Sequence, residues 1–174
     1  IQPKGKSIQK LIQNKLSKVL KEKVLLFGSG RTDSGVHAIE QSAHFDCKKK
    51  IKNFDKFLQA INYFVNKENI SILKIEKKNL NFHARFSAKQ RIYKYVIFNR
   101  NSKPSIDKER GWHIIKKLDI NLMKKGAKKL LGTKDFSTFR SSKCNAKSPI
   151  RTMQSIKIKS RKGKIEIQFK SQSF

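Results

Sequence analysis

The order in which helical and strand-like apolar patterns follow one another limits the folds open to this chain. Apolar residues recur at helical spacing over residues 7–20, 53–65 and 119–131, with Ser7 as the N-cap and Gly132 as the C-terminal stop. Short apolar or alternating runs predict strands in the segments between and after these helices, at 23–30, 41–47, 69–78, 91–99, 111–114, 151–160 and 164–170. A hairpin-like turn joins the last two strands.

This order predicts an α+β fold made of two similar halves. Each half would carry an antiparallel sheet with helices packed on one face, because the strands and helices do not alternate as βα units do. The boundary is expected near Ser87, giving an N-terminal half over 1–87 and a C-terminal half over 88–174. A chain of 174 residues is long enough for the core that such a fold needs.

The charge balance points to a polyanionic partner. Lys and Arg number 42 against 12 Asp and Glu, a formal net charge of +30. Such an excess repels itself unless a counter-charge is present, and nucleic acid supplies one along its phosphates. The alternative is a lysine-rich composition whose side chains, such as those of Lys48–Lys50, only face solvent. Nucleic acid is the partner that the charge favours.

The sequence offers little for metals, disulfides or membranes. Cys47 and Cys144 are far apart and the four histidines are dispersed, so no metal or disulfide framework is predicted and a reducing cytoplasm is expected. No apolar run is long enough to span a membrane.

The glycine-rich stretch from Gly28 to Asp46, "GSGRTDSGVHAIEQSAHFD", is the strongest candidate for chemistry. It is not a P-loop, because Val36 and His37 stand where the lysine and hydroxyl should be, nor a dinucleotide fingerprint, because the charge of Asp33 would repel a pyrophosphate. Two interpretations remain open. Asp33 forms an Asx-type turn with Gly35 at positive φ, or its carboxylate lies beside Arg31 and acts as nucleophile or base.

The motifs of the chain resemble the TruA family of tRNA pseudouridine synthases. The similar segments are "GRTDSGVHAIEQSAHFD", "INYFVNKENISI", "NFHARFSAKQRIYKYVI", "LLGTKDFSTFR" and "SPIRTMQSIKI", in the family's order. The resemblance implies the pseudouridine synthase fold, with ferredoxin-like or RRM-like halves and an active-site cleft between them. It also implies isomerisation of uridine in the anticodon stem-loop of tRNA, without metal or cofactor, by a homodimer.

The resemblance assigns roles to particular residues. Asp33 matches the catalytic aspartate, Arg31 the residue that occupies the space left by the flipped base, and Tyr93 the active-site tyrosine. For Tyr93 the alternative is a strand aromatic in the core. His44 and His83 are expected to be structural or RNA-contacting rather than acid-base groups.

Arg85 and Arg140 match family positions as well. Each is expected to contact RNA phosphate or to serve as a structural ion-pair partner. We further expect the chain to be a fragment that lacks the family's first strand and its C-terminal segment, including an arginine that would pair with Asp33. The alternative to an active enzyme is therefore an inactive, basic RNA-binding remnant.

Overall fold

The computed structural model describes residues 7–141 and 148–174. The chain divides into two compact units, Ile1–Ala88 and Lys89–Phe174, which are treated separately below. The expected mixture of helices and mainly antiparallel strands is confirmed.

The first unit is built on two helices and a two-stranded sheet. Its elements are α1 (Ile8–Leu20), β1 (Leu26–Gly28), β2 (Ala43–Phe45), α2 (Phe54–Val65) and a short 3-10 helix (Asn66–Glu68). Both helices start where predicted, because the side chains of Ser7 and Asn53 cap them by accepting hydrogen bonds from the amides of Lys10 and Lys56. The apolar stripes of the helices and β1 meet in one core, formed by Leu16, Leu20, Val24, Leu26, Phe57, Ile61 and Val65.

In this unit, side-chain amides of a helix make the hydrogen bonds to a strand backbone that a neighbouring strand would otherwise make. Leu26 turns its backbone polar groups away from β2: its N–H donates to Gln13 Oε1 (3.1 Å) and its carbonyl accepts from Gln9 Nε2. Gln9 and Gln13 are one helical turn apart, so they face the same point of β1. The outward-facing backbone groups of Leu26, at the edge of the small sheet, are thereby satisfied by α1.

The predicted strand over residues 69–78 is wrong. Asn62 of α2 accepts from the N–H of Ile72 (2.7 Å) and donates to its carbonyl (2.9 Å). No ladder of backbone hydrogen bonds joins this segment to a strand of the described chain. Its apolar alternation is still used, since Ile70, Ile72 and Ile75 pack against the core.

The second unit is a five-stranded sheet with one α-helix. Its elements are β3 (Arg91–Asn99), β4 (Trp112–Ile114), α3 (Ile120–Lys129), β5 (Gly132–Asp135), a 3-10 helix (Ser137–Phe139), β6 (Ile150–Arg161) and β7 (Lys164–Ser171). The strands lie in the order β4-β3-β7-β6-β5. The predicted β6–β7 hairpin is confirmed, with Lys162 and Gly163 both at positive φ in the turn.

Three expectations for this unit need correction. The β3–β4 pair is parallel rather than antiparallel, because residues 100–111 form a crossover after which β4 runs beside β3 in the same direction. Asn99 holds the returning segment by donating to the carbonyls of Ile114 and Lys116 (2.9 and 2.8 Å). The helix α3 ends at Lys129, so Gly132 does not follow it directly but begins β5, a strand that the sequence pattern did not predict.

Candidate active site

The loop that carries Arg31 and Asp33 joins β1 to β2 and is tied at its base. The N–H of Ser29 donates to the carbonyl of Ser42 (2.8 Å), which extends the strand pairing, and Gln41 Nε2 donates to the carbonyl of Gly30 (2.8 Å). Residues 30–43 between these ties are exposed. The loop therefore presents its side chains to solvent from a closed base.

A tight turn fixes the backbone directly after Asp33. The N–H of Val36 donates to the carbonyl of Asp33 (3.2 Å), and Gly35 has a φ of 82°, a conformation that favours glycine. Within the described residues, the carboxylate of Asp33 makes no hydrogen bond or ion pair, with Arg31 or with any other residue. The turn is made by the backbone: Gly35 has the predicted positive φ, but the predicted Asx hydrogen bond is absent from this described loop, and so is an ion pair between Asp33 and Arg31. The carboxylate is left exposed.

His44 connects β2 to the segment NFHARFSA (residues 81–88), in which His83 makes a local hydrogen bond. His44 Nδ1 accepts from the N–H of Ala84 (3.2 Å), and His83 Nδ1 accepts from the N–H of Arg85 (3.2 Å). The ring centroids of the two histidines are 4.5 Å apart. A ring nitrogen that accepts from a backbone N–H leaves the other nitrogen as the donor, so both imidazoles are held in one orientation. The expected structural role of His44 and His83 fits this arrangement.

Phenylalanine rings extend this histidine pair on both sides. Phe27 of β1 stacks on His44 with 5.1 Å between centroids, and Phe86 lies 4.5 Å from His83. Phe82 meets His44 edge-on at 6.1 Å. Sequence reasoning did not single out these phenylalanines. The available signal was the close succession of rings at 82, 83 and 86, but the partners at 27 and 44 come from distant segments.

Tyr93 lies in the second unit, on the central part of the sheet. It is half-buried on β3, opposite Phe169 of β7, and its ring meets that of Phe174 edge-on at 4.7 Å. Tyr95, on the same face, is 57% exposed and contacts Phe169. Tyr93 is thus neither a fully buried core residue nor a free surface side chain.

The two arginines differ in their surroundings. The guanidinium of Arg85 lies 5.9 Å from the centroid of Phe86. Arg140 follows the 3-10 helix of the second unit and is exposed. Hydrogen bonds from Ser137, helped by the charge of Arg140, lower the pKa of Asp135. Arg140 is therefore an electrostatic neighbour of a structural carboxylate.

The described residues show no metal site and no membrane-spanning helix. Among residues 7–141 and 148–174, no group of three or more His, Cys, Asp or Glu side chains comes close enough to hold a metal ion. Burial, with Glu22 and Asp46 nearby, raises the pKa of the Cys47 thiol; Cys144 lies outside the described residues. In the same described part of the chain, no helix has the length and apolar character needed to cross a bilayer.

Comparison with known proteins places these features in a family. A family profile described as tRNA pseudouridine synthase matches residues 1–87 and 127–174. Proteins named tRNA pseudouridine synthase A are 77% identical over 174 residues in Pelagibacter ubique (strain HTCC1062), 39% over 170 in Anaplasma phagocytophilum (strain HZ) and 42% over 170 in Ehrlichia canis (strain Jake). These alignments cover 100%, 98% and 97% of this chain and 71%, 69% and 68% of the respective relatives. The chain therefore belongs to the TruA family of tRNA pseudouridine synthases, as its motifs predict.

Proposed function

We propose that this chain is an isomerase that converts uridine to pseudouridine in tRNA, with Asp33 as its catalytic residue. The observation that carries the proposal is the position of Asp33, an aspartate of the family motif, on an exposed loop whose base is closed by hydrogen bonds. The chain is also similar over its whole length to a protein named tRNA pseudouridine synthase A. The net charge of +30 supports a nucleic-acid substrate.

The reaction needs a carboxylate and no redox chemistry. The bond between N1 of uracil and C1′ of ribose breaks, the base turns, and C5 bonds to C1′, after which the proton on C5 leaves and N1 carries a hydrogen. A carboxylate can attack the sugar or the base, or remove a sugar proton. The exposed side chain of Asp33, without a partner among the described residues, is accessible for any of these three roles.

Arg31 and Tyr93 complete the proposed catalytic set. A uridine within a stack must be flipped out at a cost of a few kcal/mol, and a planar guanidinium can fill the space it leaves. Arg31 is suited to this because it is exposed two residues before Asp33. Tyr93 would stack on the flipped base. Its ring is only half-buried and meets the ring of Phe174 edge-on, so part of the ring is accessible to a base.

The proposal extends to substrate and assembly. The chain would act on uridines of the anticodon stem-loop, in the cytoplasm, as a homodimer. It would have two similar ferredoxin-like halves. His44, Arg85 and Arg140 would lie near RNA, His44 as a support and the two arginines as phosphate contacts. Mapping the modified uridines tests the anticodon stem-loop as the substrate, and measuring the mass in solution tests the homodimer.

The decisive experiment is tritium release from unmodified tRNA labelled at C5 of uridine. We expect Asp33→Asn to lower the rate of release by at least about 100-fold, because one positioned proton-transfer or nucleophilic group contributes that much. Asp107→Asn, at another exposed aspartate, is the matched control and should release tritium at the wild-type rate.

The alternative function, an RNA-binding remnant without turnover, gives a different result. The wild-type chain would then release no tritium yet bind tRNA, with log affinity falling linearly as log salt concentration rises. Release that is equal in wild type and Asp33→Asn would overturn the assignment of Asp33.

A further inference from the structure

The rings of Phe27, His44, His83 and Phe86 form a continuous series on the first unit, which we call the aromatic ladder. Successive centroids are 5.1, 4.5 and 4.5 Å apart. Exposure is greatest at the ends: Phe27 is 42% exposed and Phe86 is 78% exposed, whereas the two histidines between them are half-buried. The ladder thus ends in a phenylalanine ring that faces solvent.

Hydrogen bonds between His83 and Ser87 fix the backbone at the exposed end. The N–H of His83 donates to Ser87 Oγ (3.1 Å), and the N–H of Ser87 donates to the carbonyl of His83 (2.8 Å). Phe86 lies within this closed turn, and the ring of His83 supports it. A ring that is already fixed loses little conformational freedom when a ligand stacks on it. Phe86 is therefore better prepared for stacking than an isolated surface phenylalanine.

Cationic side chains accompany the ladder. The guanidinium of Arg85 lies beside the ring of Phe86, and Lys78 Nζ is 6.0 Å from the centroid of Phe82, which contacts His44 edge-on. An aromatic face bordered by cations suits a nucleotide, whose base stacks while its phosphate is neutralised. β1, which contributes Phe27, leads directly into the loop of Arg31 and Asp33.

We propose that the exposed ring of Phe86 stacks on an unpaired base of the tRNA substrate, with Arg85 against a neighbouring phosphate. The inference rests on the proposed function for its ligand class. It adds to that function a base-binding residue besides Arg31 and Tyr93. His44 and His83 are positioning residues here, because they act through the ring of Phe86.

The test is equilibrium binding of a short single-stranded RNA that carries 2-aminopurine, whose fluorescence is quenched by stacking. A matched RNA in which that base is replaced by an abasic site keeps the same phosphates. In an Asp33→Asn background, so that no turnover occurs, we expect Phe86→Leu to weaken binding of the 2-aminopurine RNA about 5- to 150-fold and to abolish the quenching, while abasic RNA binds as before. Phe86→Tyr keeps a ring and should retain both binding and quenching.

Tyr63→Leu is the matched control, since Tyr63 is a 74% exposed ring on α2 outside the ladder. The proposal is overturned if Phe86→Leu weakens both RNAs equally or neither, or if Tyr63→Leu has the same effect. It is also overturned if Phe86→Leu leaves RNA binding intact but changes the mass in solution, because a second copy would then cover the ladder. Tritium release by the wild-type chain is read separately, so failure of the isomerase function and failure of stacking give different results.

Discussion

Replacing Gln13 by Met should weaken the contact between α1 and β1. Gln13 is 9% exposed and its Oε1 accepts from the N–H of Leu26 at 3.1 Å. Met has nearly the same length and helix propensity as Gln but is only a weak acceptor, so the amide of Leu26 would be left buried without a partner. Such a loss costs about 1–3 kcal/mol, and the greater apolar character of Met offsets part of it. We expect a net loss of about 1–2 kcal/mol in the free energy of unfolding of the first unit.

Two measurements check this value. Urea unfolding followed by far-UV circular dichroism gives the change in stability, and hydrogen exchange at the amide of Leu26 gives the local effect. A loss of this size speeds exchange about 5- to 30-fold. Asn14→Met, at an exposed position of the same helix, is the matched control and should stay within about 0.5 kcal/mol of wild type. If Gln13→Met folds and changes neither the urea midpoint nor the exchange of Leu26, the idea that α1 satisfies the edge of β1 is refuted.

The second unit offers two further tests. Gly163→Ala should destabilise the β6–β7 hairpin by about 1–2 kcal/mol in thermal or urea unfolding. The reason is that Gly163 has a φ of 72° and that a Cβ there would lie 3.3 Å from a neighbouring backbone oxygen. Lys162→Gly, at a φ of 47° in the same turn, is the control and should not destabilise the hairpin. A hydrogen bond from Lys164 lowers the pKa of Glu166, so the stabilisation from this carboxylate is present at neutral pH and is lost as the pH falls through its folded-state pKa. Glu166→Gln should therefore cost up to about 1 kcal/mol at neutral pH and converge with wild type in acid, and a constant difference across that range would contradict the assignment.

The proposed site combines one exposed acid with several supporting contacts. Asp33 has no partner among the described residues, whereas its loop is closed by Gln41 and by the extension of the β1–β2 pairing. Exposure leaves the carboxylate available to a substrate, and the tied base limits the positions it can take. The position of Asp33 is thus set by backbone hydrogen bonds and by the side-chain amide of Gln41, and not by a partner of its own carboxylate.

The sequence predicted those elements whose signals lie within a single short segment. The stripe and the Ser7 cap placed α1, the alternation over 91–99 placed β3, and the turn at Lys162 and Gly163 placed the last hairpin. Each of these signals lies within the segment that it describes: a helix cap, a side-chain period of two residues, a turn conformation. The motif around Asp33 identified the family for the same reason, since all of its residues are contiguous.

Features that depend on distant partners were not predictable in this way. The segment 69–78 has a strand-like pattern but becomes an extended core segment, because Asn62 satisfies the backbone of Ile72 where a strand would. The parallel pairing of β4 and the place of β7 between β3 and β6 are likewise choices among partners.

The sequence by itself determined the helices, the hairpin, the family and the candidate aspartate. Only the tertiary structure decided which strands pair, that glutamines of α1 complete the edge of β1, and that rings at 27, 44, 83 and 86 form one ladder. The physical reason is that apolar periodicity states which face of an element is buried but not what covers it. Backbone hydrogen bonds and ring contacts between remote segments are settled only when the whole unit packs.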